Sequence, residues 1–419
     1  MKLFPAVFIG GPPHSGKSVL TYSLTQALRR RGVEHYVLRA CPDGEGDWAN
    51  EADQALVRTI RVKGDFTSEF VDHMCRDLAR RHLPLLVDVG GKPTEWQEPI
   101  FAHCTHAILL VKDEAARREW RGRAERYALP VLAEITSQLA GHDVLSDAGP
   151  VLRGSMTGLE RGRTAIGPIF DALVERLAAV FAYAPAELRT IHRSLAPVET
   201  VVELNRLVRT LRAEPFDSPS TLRQGSGQAP LRTGIRAGSQ GEAFDVPAEG
   251  KRALWEPHHL PQVLDYLPEG VPLGLYGRGP NWLYAALALY VAPAPLYQFD
   301  VRLGWITPPA LHLGIPDLHA PLQVRGYERP DHMRLEFTLP RSYVDYREAQ
   351  GLRVPPAPGQ GLVLSGKLPL WLWTALALTY ANQVSWLAVY QPQWEDRAVI
   401  ISSQVPAAAI GTLVLSPPA

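Results

Sequence analysis

Gly11-Pro-Pro-His-Ser-Gly-Lys-Ser18 sets a lysine and a hydroxyl directly behind a glycine, with a second glycine at the head of the run. The stretch fits G-x-x-x-x-G-K-[ST] at every fixed position. In such a loop Gly11 and Gly16 let backbone N–H groups turn toward phosphate oxygens, and a following helix adds the positive end of its dipole. Lys17 would reach the β- and γ-phosphates of ATP, and the Ser18 hydroxyl would ligate a magnesium ion. Gly10 and Pro12-Pro13 stiffen the loop into a preset shape. The plainer alternative is a chance glycine turn ahead of a helix.

A cradle of this kind must stand between a strand and a helix, and the flanking residues read that way. Phe4 to Ile9 is an apolar run of strand length, and Val19 to Arg31 reads as a helix closed by Gly32. Asp88 ends a second apolar strand, Leu83 to Val89, at the place where ligands bind in open α/β sheets. It would hold the magnesium from behind Ser18, making Lys17 and Asp88 the catalytic pair of this site, while Gly90-Gly91 brings backbone toward the γ-phosphate. An aspartate capping a turn is the alternative. Asp43, Glu45 and Asp47, after a strand from His35 to Arg39, could position a water, a hydroxyl or a second metal, or be a solvated turn. Arg58, Arg61 and Lys63 are a possible phosphate clamp or plain surface charge. Arg117, Arg118, Arg121, Arg123 and Arg126 read as a solvated helix face.

Further strands at Ala107 to Val111 and Pro130 to Ile135 alternate with helices at Ser68 to Arg81, Glu114 to Tyr127, Ile169 to Phe181 and Val201 to Arg212. Glu51 to Lys63 also looks helical. This alternation predicts an α/β domain over residues 1–213, with a parallel sheet covered by helices on both faces. From 214 to 250 the composition turns to Pro, Gly, Ser, Gln and Arg and the apolar periodicity is lost, which reads as a flexible linker. Modules are expected at 251–316 and 317–419. They carry an internal repeat, since Gly277 to Leu289 aligns with Gly366 to Leu378 at a constant offset of 89 residues. Each copy has a short strand, a nearly apolar helix and a returning strand.

At the corners of the repeats, Gly277-Arg278-Gly279 and Ser365-Gly366-Lys367 offer backbone N–H groups beside a cation, a combination that suits a phosphodiester. Tight turns alone would also select glycine there. Asp300 with Arg302 ends the strand after the first helix, and Gln391 holds the matching place in the second copy. His258, His259, His312, His319 and His332 lack metal-ligand spacing apart from the adjacent pair, and Trp282 and Trp371 at matching positions read as core.

Lys+Arg and Asp+Glu both total 43, so no global field points to a long nucleic acid. Three cysteines, Cys41, Cys75 and Cys104, without C-x-x-C spacing fit reduced thiols in a cytoplasmic protein and no structural zinc. No signal peptide is read at Met1-Lys2. Leu368 to Ala381 is too short to span a bilayer and reads as a buried helix, so no membrane partner is expected.

The repeat resembles the CRISPR-associated ring nucleases of the Csx-three type, through Gly277 to Leu283 and Asp300 to Gly304, and through Gly366, Pro369, Trp371, Leu372 and Leu387 to Tyr390. The N-terminal half looks like the P-loop ATPase that some members carry as a fusion, including Cys41 to Trp48. The resemblance implies small ferredoxin-like α+β modules in a symmetric homo-oligomeric assembly. It also implies a part in type III CRISPR defence, with binding of cyclic tetra-adenylate and its manganese-assisted cleavage at Asp300. The family's catalytic histidine has no counterpart in Val291 to Pro295 or in Ala381 to Gln383, and Gln391 replaces the second aspartate. Binding is therefore better supported than cleavage, and a sensor controlling the ATPase is the alternative.

Overall fold

The computed structural model describes residues 3–41, 67–90, 93–160, 162–213, 255–341, 343–357, 359–394 and 396–417. Asp43, Glu45, Asp47, Arg58, Arg61, Lys63, the helix expected at Glu51 to Lys63, Gly91 and the 214–250 linker lie outside the described residues. The chain forms two compact units. The first comprises Met1–Leu195 with Asp300–Gly304 and Pro340–Asp345; the second comprises Ala196–Phe299, Trp305–Leu339 and Tyr346–Ala419.

The first unit runs β1 (Ala6–Gly10), α1 (Lys17–Arg30), β2 (Tyr36–Arg39), α2 (Ser68–Arg80), β3 (Leu85–Asp88), α3 (Pro99–Ala102), β4 (His106–Val111), α4 (Glu114–Arg126), β5 (Val131–Gln138), β6 (Val144–Asp147), β7 (Leu152–Thr157), α5 (Pro168–Val180) and α6 (Pro185–Ser194). Its seven strands lie in the order β2-β3-β1-β4-β5-β7-β6. All neighbours are parallel except β6, which returns antiparallel beside β7. The apolar runs form the inner strands because both faces are covered. Ala6 and Phe8 face Phe70, Met74, Phe101 and Trp120, whereas Val7 and Ile9 face Leu20, Leu24, Ile169 and Leu173. Helices start where side chains cap them: Thr67 accepts from the Phe70 N–H before α2, and Asp113 accepts from the Ala116 N–H before α4.

His192 on α6 is wholly buried, and its Nε2 donates to the His82 carbonyl at 2.7 Å. Burial pulls its pKa down to about 4, against the opposing effect of that hydrogen bond. Between the ordinary histidine value of about 6.5 and pH 4, the unfolded chain binds a proton that the folded unit refuses, so acid erodes stability there. The expected loss over that window is about 3 kcal/mol at most. Denaturant midpoints measured from pH 7 to pH 4 should fall, and should fall less in His192→Gln; an equal slope in the two proteins refutes the assignment.

The second unit is built from β8 (Val201–Glu203), α7 (Leu204–Ala213), α8 (His259–Tyr266), β9 (Leu273–Tyr276), α9 (Asn281–Val291), β10 (Leu296–Asp300), β11 (Gly304–Ile306), β12 (His312–Leu313), β13 (Gln323–Glu328), β14 (Met333–Thr338), β15 (Arg353–Val354), β16 (Gly359–Gly366), α10 (Leu370–Tyr380), β17 (Val384–Gln391), β18 (Arg397–Ser403) and β19 (Leu413–Leu415). The last residue of β10 and the first of β11 fall in the first unit's segment. One sheet has the order β11-β10-β9-β8 and another β13-β14-β16-β17-β18-β19, with β12 and β15 forming a separate parallel pair. The sequence repeat superimposes β9–α9–β10 on β16–α10–β17, and α9 packs on α10. Eight of the eleven residues in each helix are buried, which explains most of their apolar character, although Leu370 and Leu378 of α10 are exposed.

Two expectations change. The boundary at 213 moves to 195, because β8 pairs in parallel with β9 and takes α7 with it into the second unit. The first module thus begins well before 251. The modules also depart from a ferredoxin-like plan: β16 and β17, joined by α10, are direct parallel neighbours, and β14 is parallel to β16. This is an unsplit βαβ unit rather than the split one of ferredoxin-like folds. Among the described residues, no helix is long and apolar enough to cross a membrane.

Candidate functional site

β1 delivers the chain into the glycine loop, and β3 lies beside β1 with Asp88 opposite Ile9. That register carries the Asp88 carboxylate to the head of α1, where the Ser18 hydroxyl donates to its Oδ2 at 3.2 Å. Gly11, Gly16, Lys17, Ser18 and Asp88 are therefore gathered at the carboxyl ends of two adjacent strands. Lys17 is buried, and its Nζ donates to the carbonyls of Gly11 and Pro12, both at 2.8 Å. Burial pulls the ammonium down to about 8, while the Asp88 charge opposes the shift.

The loop has no room for larger residues. Gly16 sits at φ 89°, and a Cβ there would come within 2.4 Å of the Leu159 Cβ. A Cβ on Gly11 would lie 2.0 Å from the Leu110 carbonyl oxygen. Among the described residues no side chain caps the start of α1, and no acid stands in its first turn, so the leading amides stay open to an anion. The Ser15 hydroxyl, inside the same loop, is buried and has no partner among the described residues. These features fit a polyphosphate. The hydroxyl–carboxylate pair also fits magnesium, which takes few protein oxygens and keeps several waters.

Asp88→Asn keeps the shape of the carboxylate and removes its charge. Were the loop to turn over ATP with magnesium, that turnover would be expected to fall about 10²-fold. Nucleotide binding in excess chelator should stay within about threefold, since the charge removed would act on the magnesium rather than on the phosphates. Steady-state hydrolysis and equilibrium binding check both halves, and an unchanged turnover rate refutes the role.

Asp300 is engaged otherwise than expected. Its Oδ1 accepts from the Arg302 and Leu303 N–H groups at 2.8 and 3.2 Å, and its Oδ2 meets the Arg302 guanidinium at 3.3 Å. Arg302, itself buried, also reaches Asp77 at 3.3 Å. A guanidinium already occupies the carboxylate, so these residues do not fit a manganese ion, and among the described residues no three His, Cys, Asp or Glu side chains gather as a metal site.

The two glycine corners sit at equivalent strand-to-helix turns of the second unit. Arg278 is exposed, with its N–H donating to Asn205 Oδ1 at 3.2 Å, and the Gly277 carbonyl accepts from the Tyr284 hydroxyl at 2.7 Å. Gly279 packs against Leu204, at the head of α7. In the second corner Gly366 is exposed and Lys367 half-buried, but Ser365 is buried and its hydroxyl accepts from Arg334 at 3.0 Å. Trp282 and Trp371 are core residues, as their apolar settings required.

The α4 arginines are not a merely solvated face. Arg121 pairs with buried Glu134, and Arg123 and Arg126 both grip buried Glu98, at 3.1 and 2.5 Å. Their acids come from β5 and from the turn before α3, so spacing along α4 carried no sign of them. Arg334 was likewise missed, and only its lone cationic place in a strand of alternating apolar residues could have drawn attention.

Residues 337–415, from the end of β14 to the end of β19, match the family described as CRISPR-associated protein (Cas_csx3). The C-terminal part of the chain is thus similar to CRISPR-associated proteins of this type. Among solved structures, the chain is similar to chloroplast FtsY from Physcomitrella patens at 14% identity and a TM-score of 0.25, over 42% of this chain. The similarity spans 66% of the FtsY chain. No curated protein matches this sequence.

Proposed function

We propose that the chain is a type III CRISPR accessory protein that binds cyclic tetra-adenylate through its second unit and turns over ATP at the phosphate loop of its first. The observation that carries the ligand reading is the repeated corner. A strand, a glycine turn beside a cation, a buried helix and a parallel strand occur twice in one unit, and the copy at β16–α10–β17 falls inside the CRISPR-associated match. A cyclic tetranucleotide presents repeated phosphodiesters, and paired corners with exposed Arg278 and half-buried Lys367 offer them repeated donors.

At the loop, Lys17 would release the Gly11 and Pro12 carbonyls and take the β- and γ-phosphates, with the α1 amides holding the remaining oxygens. Ser18 would hold magnesium directly and Asp88 orient it; when bound, the metal supplies charge neutralisation on the β- and γ-phosphates. The guanidinium on Asp300 favours a ring sensor that controls ATP turnover over a ring-cutting enzyme.

The test uses the full-length protein with labelled cyclic tetra-adenylate and manganese, with and without ATP, followed by separation of products. Expected are an intact ring that co-migrates with the protein, and an ATP turnover rate changed about fivefold or more by the ring. Linear products would assign cleavage instead. A ring that neither binds nor alters turnover overturns the proposal.

A further inference from the structure

Arg334, on β14, is 2% exposed and lacks a counter-ion: among the described residues, no carboxylate lies in ion-pair range of it. Its guanidinium donates to the Ser365 hydroxyl at 3.0 Å and to the Ser416 carbonyl, and it stacks on the Tyr390 ring at 4.2 Å. Its Nε is buried and has no partner among the described residues. The nearby carboxylate of Asp396 is taken up by the Tyr390 hydroxyl at 2.9 Å. A desolvated guanidinium with only neutral acceptors is a strong attractor for an anion. Ser365 and Tyr390 stand at the carboxyl ends of the parallel strands β16 and β17, the edge of an open sheet where ligands bind.

What closes this place is the end of the chain. The Ser416 N–H donates to the Asp396 carbonyl at 2.7 Å, its hydroxyl meets His332 Nε2 at 3.0 Å, and the Pro417 carbonyl accepts from Arg329 at 3.0 Å. Ser416 is fully buried, yet polar contacts hold it, and an oxyanion could replace the carbonyl it presents to Arg334.

We propose that Arg334, Ser365 and Tyr390 form a phosphate-recognition site for a nucleotide phosphodiester, covered in the free protein by the Ser416–Pro417 strap. The site lies behind the second glycine corner and rests on the ligand reading above only for the identity of the nucleotide. Ligand must displace the strap, so its apparent affinity is reduced by the fraction of molecules in which the strap is open. Arg334 supplies the charge, and the Tyr390 hydroxyl, released from Asp396, would become available as a second donor.

The test compares the full-length chain with a truncation after Leu415 and with Arg334→Met and Arg334→Lys in the truncated chain. All carry Lys17→Ala, so that the phosphate loop does not report. The probes are labelled cyclic tetra-adenylate and inorganic phosphate, read by equilibrium binding, with circular dichroism to check folding. Truncation should tighten binding of at least one probe about tenfold. Arg334→Met should erase that gain, and Arg334→Lys should keep part of it. If phosphate shows this pattern and the ring binds to no variant, the site stands and the cyclic-nucleotide reading falls. The proposal is overturned if truncation changes neither affinity, or if folded Arg334→Met retains the gain.

Discussion

Replacing Lys17 with alanine should lower ATP turnover about 10²- to 10³-fold, the cost of losing one preorganised donor at a developing charge. The residue is buried at the head of α1 and spends its hydrogen bonds on two carbonyls of its own loop. It is therefore held where the phosphates would come without contributing a tertiary tie. Removing it takes away a desolvated ammonium but leaves the Gly11 and Pro12 carbonyls without that donor, terms that oppose each other, so the melting temperature should move by only about 2–4 °C. The pH profile separates this reading from a structural lysine. With the ammonium pulled down to about 8 in the free protein, the charged form thins out above that pH. A bound polyphosphate restores it, so nucleotide binding takes up a proton and weakens as pH rises beyond 8. Calorimetry in buffers of different ionisation heats should detect that proton, and Lys17→Ala should lose it. Binding that is flat from pH 7 to pH 9 in the parent protein refutes the assignment.

The glycine loop between β1 and α1 was legible as a turn because its pattern fixes residue types at fixed spacing, and the buried strands because parallel sheets require unbroken apolar runs. Asp88 followed from strand-end logic, and the sheet order then placed it against Ser18. The β6–β7 hairpin escaped because it is an edge: β6 is largely exposed, and Gly154 interrupts β7 where a Cβ would strike the Val144 carbonyl. The boundary at 213 failed for a different reason. The amphipathic pattern of α7 says that it covers a sheet but not which one, and the three residues of β8 are too few for periodicity to register. Asp300 was judged by its place on a strand. The guanidinium on it, Arg302, is held in turn by Asp77 on α2, far away in the chain, and no local pattern encodes a contact of that range. Arg334 shows the same limit, since a cation in a strand looks exposed until its neighbours are known.

Arg81 carries the largest expected effect on stability. Its guanidinium is 2% exposed, and it donates to the backbone carbonyls of Phe4, Leu78 and, at 3.1 Å, His103. These carbonyls belong to the lead-in to β1, the last turn of α2 and the turn after α3, so one side chain closes three backbone ends around the first unit's core. Burial lowers its pKa, a sign that the charge is costly there and is tolerated because the carbonyls need a forked donor. Arg81→Met fills similar volume and returns that desolvation cost, but it leaves three buried acceptors unpaired. Each such loss costs about 1–3 kcal/mol, so a net destabilisation of about 3 kcal/mol is expected after the offset. For a unit of this size that lowers the melting temperature by about 6–12 °C. Arg81→Lys should recover less than half, because an ammonium cannot span three acceptors set out for a planar fork. Denaturant melts of the three proteins give the answer. A methionine variant that melts within about 2 °C of the parent would mean that the carbonyls find other donors and that the arginine is no tie at all.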